Sequence, residues 1–169
     1  LGNLPYARRS DDVFGACSDA GCAGYLLLRA GQHEVRCMKR VLFVCVENSC
    51  RSQMAEAFAN RLGAGRVEVH SAGSRPADGV NPRAIAFMAE RGYDLSGHAA
   101  KPLFPFEGKT FDLVVTMGCG DACPWVPAAQ RADWALPDPK ILPDDEFRAV
   151  RDEIERRVRR LLAEWDIPS

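Results

Sequence analysis

Val41-Leu42-Phe43-Val44-Cys45-Val46-Glu47-Asn48-Ser49-Cys50-Arg51-Ser52-Gln53-Met54-Ala55 is the stretch on which the fold turns. A short apolar run rich in β-branched residues meets a polar loop at once. That loop opens into Gln53-Met54-Ala55-Glu56-Ala57-Phe58-Ala59-Asn60-Arg61-Leu62, which reads as a helix. Strand, tight loop and helix start gather backbone N–H groups around one point, and the helix N-terminus adds unpaired donors and its dipole. The loop opens on Cys45 and closes on Arg51, with five residues between them. A tetrahedral oxyanion fits such a cradle, with Arg51 as a bidentate donor and Cys45 beneath it as nucleophile. The stretch therefore implies attack on phosphate or a phosphate-like oxyanion through a thiolate.

Working outward, the 169 residues suffice for one domain with a real core. A hydrophobic fraction of 47% and a charged fraction of 27% are those of a soluble globular protein. The net charge of −1 gives no general pull toward nucleic acid or an anionic membrane, so neither is expected as a partner. No apolar run approaches the roughly 20 residues of a membrane span, and Tyr25-Leu26-Leu27-Leu28 is too short for a signal-peptide core. Seven cysteines are an odd number and their spacing is not a disulfide framework, which suits reduced thiols in the cytoplasm. Zinc at Cys119 and Cys123 is the rival reading. The second Cys pair and any His at ligand spacing are missing, so no metal is expected.

Residues 1–37 differ from the rest in lacking a clear period. They read as a poorly ordered extension, with Met38 as the natural start of a 38–169 domain; an accessory element packed through 25–28 is the alternative. After the first helix, Gly63-Ala64-Gly65 makes a C-cap and turn. A second strand follows over 66–71, then a loop over 72–76. Asn81-Pro82 caps a helix over 83–91 with Ile85 and Met88 facing inward. Residues 93–102 read as loop, and 111–117 as a third strand apolar enough to be buried on both faces. A flexible loop bearing Cys119 and Cys123 comes next, then a short last strand around 132–136 and a rigid Pro137-Asp138-Pro139 loop. Asp144-Asp145-Glu146 starts a final helix whose stripe is Phe147, Val150, Ile154, Val158, Leu161 and Trp165. Its Arg156-Arg157 and Arg159-Arg160 pairs read as a solvated face. Alternating strands and helices imply an α/β fold: a three-layer sandwich around a four-stranded parallel sheet, with the site beyond the strands' carboxyl ends. Cys45, Cys119 and Asp138 all follow strand ends, which places them on one rim.

These residues resemble a known family. Cys45-Val46-Glu47-Asn48-Ser49-Cys50-Arg51-Ser52 with Asp138-Pro139 far downstream is similar to the low-molecular-weight tyrosine phosphatases, a flavodoxin-like fold. Within that fold the chain looks more like the thioredoxin-coupled arsenate reductases, through Arg51-Ser52-Gln53-Met54-Ala55-Glu56, His70-Ser71-Ala72-Gly73, Val114-Val115-Thr116-Met117 and Trp134-Ala135-Leu136-Pro137-Asp138-Pro139. The match spans 38–165. The resemblance implies that Cys45 attacks arsenate, that residues 46–52 bind the oxyanion, and that Asn48 holds the loop's shape. It implies Asp138 as general acid. Free cysteine titrates near 8.5, and the helix N-terminus, Arg51 and a bond from Ser52 favour the thiolate. Cys119 would then attack Cys45 in the cysteine–arsenic adduct, releasing arsenite. Cys123 would attack Cys119, leaving a 119–123 disulfide for thioredoxin or a similar dithiol to reduce. No bound cofactor is implied, and a monomer is expected.

Three residues depart from the familiar pattern. Glu47 stands where glycine is usual, and an acid there opposes the thiolate unless it faces solvent or pairs with a base. Cys119 and Cys123 have three residues between them, closer than in the best-known members. Lys101 aligns with an acid that binds potassium in some relatives, so its ammonium takes that cation's place. Cys50 reads as a packed loop thiol, His70 as a strand-end residue, and His33 and His98 as surface residues. The competing functions are phosphotyrosine hydrolysis, reduction coupled to mycothiol or glutathione, and an arsenite-binding module built from Cys45, Cys119 and Cys123. Against the phosphatase, Lys140-Ile141 follows Asp138-Pro139 in place of an aromatic pair.

Overall fold

The computed structural model describes residues 38–118 and 125–168. Four parallel strands form one sheet in the order β2-β1-β3-β4: β1 is Lys39–Cys45, β2 Val67–Gly73, β3 Phe111–Thr116 and β4 Ala128–Asp133. The helices are α1, Arg51–Gly63; α2, Pro82–Ala89; and α3, Asp144–Glu164. The α/β class and the parallel four-stranded sheet are those expected from the alternation of apolar runs.

Side-chain alternation splits the core into two layers, as a pleated strand requires. Val41, Phe43 and Cys45 of β1 and Leu113 and Val115 of β3 face one side, where α1, α2 and α3 supply Met54, Phe58, Phe87, Met88, Phe147, Ile154 and Leu162. Leu42, Val44 and Val114 face the other, against Leu103, Phe106 and Val126. Among the described residues this second layer is thin. It rests on a single 3-10 turn, Phe104–Phe106, whose Phe106 meets the Phe111 ring at 6.1 Å.

Several boundaries differ from the sequence reading. Arg51 and Ser52 are the first residues of α1 rather than loop. β2 continues through Ala72 to Gly73, where it pairs with Cys45. The last strand lies at 128–133 and not around 132–136. β4 is an edge strand, half solvated, so it tolerates Gln130 and Arg131 and carries no apolar signal. The apolar Trp134 and Leu136 that suggested a strand instead pack on the core from the loop beyond it, with Trp134 5.5 Å from the Phe43 ring. Asn81 caps α2 as expected, its side chain accepting from the Arg83 N–H at 2.9 Å ahead of Pro82. In α3, Arg156, Arg159 and Arg160 are exposed, but Arg157 turns inward and donates to Glu153 and to the Trp134 carbonyl. The expectations for residues 1–37, for Cys17, Cys22, Cys37 and His33, and for Cys119 and Cys123 lie outside the described residues.

Candidate active site

Cys45 ends the central strand β1, and the chain from Val46 to Cys50 curls back to start α1. What shapes this loop is where its carbonyls go. Those of Cys45, Val46, Glu47 and Ser49 accept from the N–H groups of Ser74 (3.2 Å), Arg75 (2.8 Å), Ala77 (3.0 Å) and Asn81 (2.9 Å). The Asn48 carbonyl accepts from Gln53 Nε2 at 3.2 Å, and that of Cys50 from the Met54 N–H at 3.0 Å. Each planar peptide holds its N–H opposite its C=O. Tying the carbonyls outward therefore turns the N–H groups toward a pocket of about 120 Å³ lined by Cys45, Val46, Glu47, Ser49, Cys50, Arg51, Asp138 and Lys140. One of these amides, Asn48 N, donates to Cys45 Sγ at 3.2 Å.

Two close approaches let the loop take this path. A Cβ on Gly73 would lie 2.8 Å from the Val46 carbonyl oxygen and 2.9 Å from Asn48 N, so only glycine fits beside the loop. Gly118 combines a φ of +79° with a Cβ position 2.8 Å from the Leu136 carbonyl oxygen, where β3 leaves the sheet beside Arg51.

Asn48 holds the loop from inside. It is fully buried, with φ at 49°, a left-handed conformation that Asn tolerates better than most residues. Its Nδ2 donates to Ser52 Oγ (2.7 Å) and Ser71 Oγ (2.9 Å); its Oδ1 accepts from Gln53 Nε2 (2.9 Å) and the Lys101 N–H (2.7 Å). Because Ser52 Oγ accepts from Asn48, its own proton is available to Cys45 Sγ, 3.0 Å away. Ser71 in turn donates to Glu56 Oε2 at 2.8 Å, which Lys101 Nζ meets at 2.7 Å. Lys101, Glu56, Ser71, Asn48, Ser52 and Cys45 form one connected network in which Asn48 Nδ2 donates both ways, toward Ser71 and Glu56 on one side and toward Ser52 on the other, which leaves the Ser52 hydroxyl to donate to the sulfur. His98 belongs to this network, contrary to its reading as a surface residue: Nδ1 is 2.9 Å from Gln53 Oε1. His70 lies within β2 rather than at its end, bound to Glu68 at 2.7 Å.

Arg51 is buried and joins three parts of the chain. Its Nη1 donates to the Met117 carbonyl (2.8 Å) and the Leu136 carbonyl (2.9 Å), and its Nη2 lies 3.9 Å from Asp138 Oδ2. One edge of the guanidinium is thus fixed on protein, and the other faces the pocket. Asp138 stands half-exposed at the rim, its Oδ1 accepting from the Lys140 N–H at 3.2 Å. The 3-10 turn Pro139–Ile141 behind it is fastened by Arg83, which donates to the carbonyls of Lys140 (3.2 Å) and Leu142 (2.8 Å) and stacks 4.9 Å from the Phe147 ring. Glu47 pairs with Lys140 and accepts from Ser49 Oγ at 3.2 Å. Its charge is therefore compensated. Burial pushes the neighbouring Cys50 thiol up to about 12, against the smaller downward pulls of Ser49 and Arg51, so Cys50 stays protonated where Cys45 is served by donors.

Of the residues singled out in the sequence, the structure brings Cys45, Val46, Glu47, Ser49, Cys50, Arg51 and Asp138 together around one pocket, while Asn48 and Ser52 support it through their hydrogen bonds behind Cys45. Glu56, Ser71, Arg83 and His98 were missed as supporting residues. A buried Glu one turn after the loop, in Arg51-Ser52-Gln53-Met54-Ala55-Glu56, was the available signal for the first. Among the described residues, no cluster of three His, Cys, Asp or Glu side chains is placed to hold a metal, and no helix is long and apolar enough to cross a membrane.

The fold and site define a parallel α/β protein with a cysteine-to-arginine oxyanion loop at the carboxyl end of its central strand. Residues 40–167 match the family model described as low molecular weight phosphotyrosine protein phosphatase, and the chain belongs to that family. It is 45% identical over 129 residues to the glutaredoxin arsenate reductase of Synechocystis sp., covering 75% of this chain and 98% of that one. A solved arsenate reductase in its phosphate-binding state superposes with a TM-score of 0.69 at 45% identity, covering 75% and 98% of the two chains. The Corynebacterium glutamicum thioredoxin-dependent arsenate reductase does so with a TM-score of 0.62 at 36% identity, over 75% and 61%.

Proposed function

We propose that this protein reduces arsenate to arsenite by nucleophilic attack of Cys45, followed by an internal thiol–disulfide relay. Arsenate sits in the loop formed by residues 46–52, against the N–H groups that the outward-tied carbonyls leave facing the pocket, and against the free edge of Arg51. The Cys45 thiolate attacks arsenic, and a hydroxyl leaves as water with a proton from Asp138. Cys119 then attacks Cys45 Sγ. The sulfur–arsenic bond breaks with its electron pair staying on arsenic, arsenite departs, and a 45–119 disulfide forms. Cys123 attacks Cys119 and frees Cys45, and an external dithiol reduces the resulting 119–123 disulfide. The donor is thioredoxin or a protein of like chemistry, and the enzyme works as a monomer in the cytoplasm, where its thiols stay reduced. It carries no bound cofactor.

The observation that carries this reading is the convergence on Arg51. One guanidinium binds the Met117 carbonyl, two residues before Cys119, and the Leu136 carbonyl, two residues before Asp138, while closing the oxyanion loop itself. Nucleophile, acid and the strand leading to the relay cysteines are therefore tied at one point. The identity to arsenate reductases supports the same substrate. Phosphotyrosine hydrolysis is the second reading, since the Cys45 loop and Asp138 would serve it equally, and relatives of two donor types leave glutathione-linked reduction as a variant of the first. Assaying both chemistries on one preparation tests the proposal. Arsenate-dependent oxidation of reduced thioredoxin is expected. Vigorous aryl phosphatase turnover without it would overturn the assignment.

A further inference from the structure

Glu47 and Lys140 are 93 residues apart in sequence yet meet across the opening of the pocket. Both line it with Cys45 and Arg51. Their side chains remain 42% and 30% exposed, which puts the pair at the mouth and not at the floor. Each end is mounted on a fixed frame. Glu47 lies on the oxyanion loop, its carbonyl tied to the Ala77 N–H at 3.0 Å and its carboxylate to Ser49 Oγ at 3.2 Å. Lys140 lies on the turn that Arg83 fastens through the Lys140 and Leu142 carbonyls. Among the described residues no aromatic side chain lines the pocket.

We propose that the Glu47–Lys140 ion pair sets the substrate class, admitting a free tetrahedral oxyanion and excluding oxyanions that carry an aryl ester group. The inference rests on the reading above that the Cys45 loop binds such oxyanions. In a displacement at a tetrahedral centre the leaving group departs opposite the nucleophile. With Cys45 at the floor, the leaving group points at the mouth, where the pair lies. Free arsenate places only a hydroxyl there, which can hydrogen-bond to either charge. An aryl group placed there dehydrates the pair and returns no hydrogen bond. Separating a half-exposed pair is not itself costly. Once Lys140 is pushed aside, however, the Glu47 carboxylate faces the bound dianion without its counter-charge, and that repulsion discriminates. The site thus uses an acid at a position where it would otherwise oppose anion binding.

The test compares dissociation constants of inorganic phosphate and benzylphosphonate for the reduced full chain, by calorimetry at pH 8.5, where both headgroups are dianionic. General electrostatic effects cancel in the ratio of the two constants, because the headgroup charge is shared. The ratio of benzylphosphonate to phosphate dissociation constants is expected to fall about tenfold in Glu47→Ala and in Lys140→Ala. It should stay as low in the charge-swapped Glu47→Lys/Lys140→Glu chain, whose loop residue faces the dianion as a cation once the pair is opened. A ratio that stays within twofold in both single variants overturns the inference, as does a swap that restores the ratio of the unaltered protein. An unaltered chain that binds neither anion overturns the reading of the loop itself and this inference with it, whereas phosphate binding with an unmoved ratio overturns the inference alone.

Discussion

Replacing Lys101 by Met tests whether the buried network beneath the loop serves the nucleophile. Lys101 Nζ is the counter-charge of Glu56, whose side chain is only 10% exposed against 36% for the lysine. Removing one partner of a fully buried pair costs about 3–5 kcal/mol, and a fully exposed pair contributes at most about 1 kcal/mol. The half-buried lysine places this pair between those limits, at about 2 kcal/mol. For a domain of this size that lowers the melting temperature by about 6–8 °C. The second effect is on reactivity. Glu56 without its ammonium is an uncompensated negative charge joined through the chain Ser71, Asn48 and Ser52 to Cys45 Sγ, and it opposes the thiolate. Opposing the thiolate by about 1 kcal/mol slows alkylation of Cys45 about fivefold at pH 7. Thermal unfolding and peptide-resolved rates of iodoacetamide labelling read the two effects separately. A melting temperature within 2 °C of the unaltered protein together with a Cys45 rate within twofold refutes the reasoning.

Other outcomes follow from the same geometry. Gly73→Ala drives a Cβ to within 2.8 Å of the Val46 carbonyl oxygen; the loop must move, and protection of Cys45 by phosphate against alkylation is expected to weaken at least tenfold while circular dichroism keeps its α/β signature. Cys50, held at about 12 by burial, should resist iodoacetamide at pH 8 under conditions that label Cys45, and Cys50→Ala should leave labelling of Cys45 unchanged within twofold. Because the unfolded Cys50 thiol ionises near 9 and the folded one near 12, the native state loses stability as pH climbs through that interval; a Cys50→Ala chain should show a shallower alkaline fall in melting temperature. Glu90 has the opposite sign. Hydrogen bonds from Arg148, opposed by burial and joined by bonds from Arg151, hold its carboxyl at about 2 rather than 4.5. Its contribution is therefore present above pH 4.5 and lost as pH falls toward 2, and Glu90→Gln should flatten acid unfolding over that window.

How far the sequence reaches is clear from particular residues. The β1–loop–α1 unit was legible because a β-branched apolar run, a polar loop and a helical period lie within 25 consecutive positions or so, and local patterns of that length report local structure. Pro82 behind Asn81 was legible for the same reason. β4 was misplaced because a solvated edge strand has no apolar face to announce it, while Trp134 and Leu136 looked like strand residues and are core-packing loop residues. The supporting shell was hidden by distance along the chain. Glu47 and Lys140 are 93 residues apart, and Arg51 reaches carbonyls 66 and 85 residues away. That Glu47 would need a base could be read from charge alone; which base could not. The requirement for glycine at position 73 exists only because another segment passes within van der Waals distance of it.

Disulfide mapping by mass spectrometry after a single arsenate turnover, with no external thiol present, tests the central claim most directly. One arsenite released per chain, a 119–123 disulfide and a free Cys45 thiol are expected. Arsenite that forms only when an external thiol is supplied, with Cys119 and Cys123 still reduced, would contradict the internal relay, and a chain that leaves arsenate untouched under either condition would contradict the proposed chemistry as a whole.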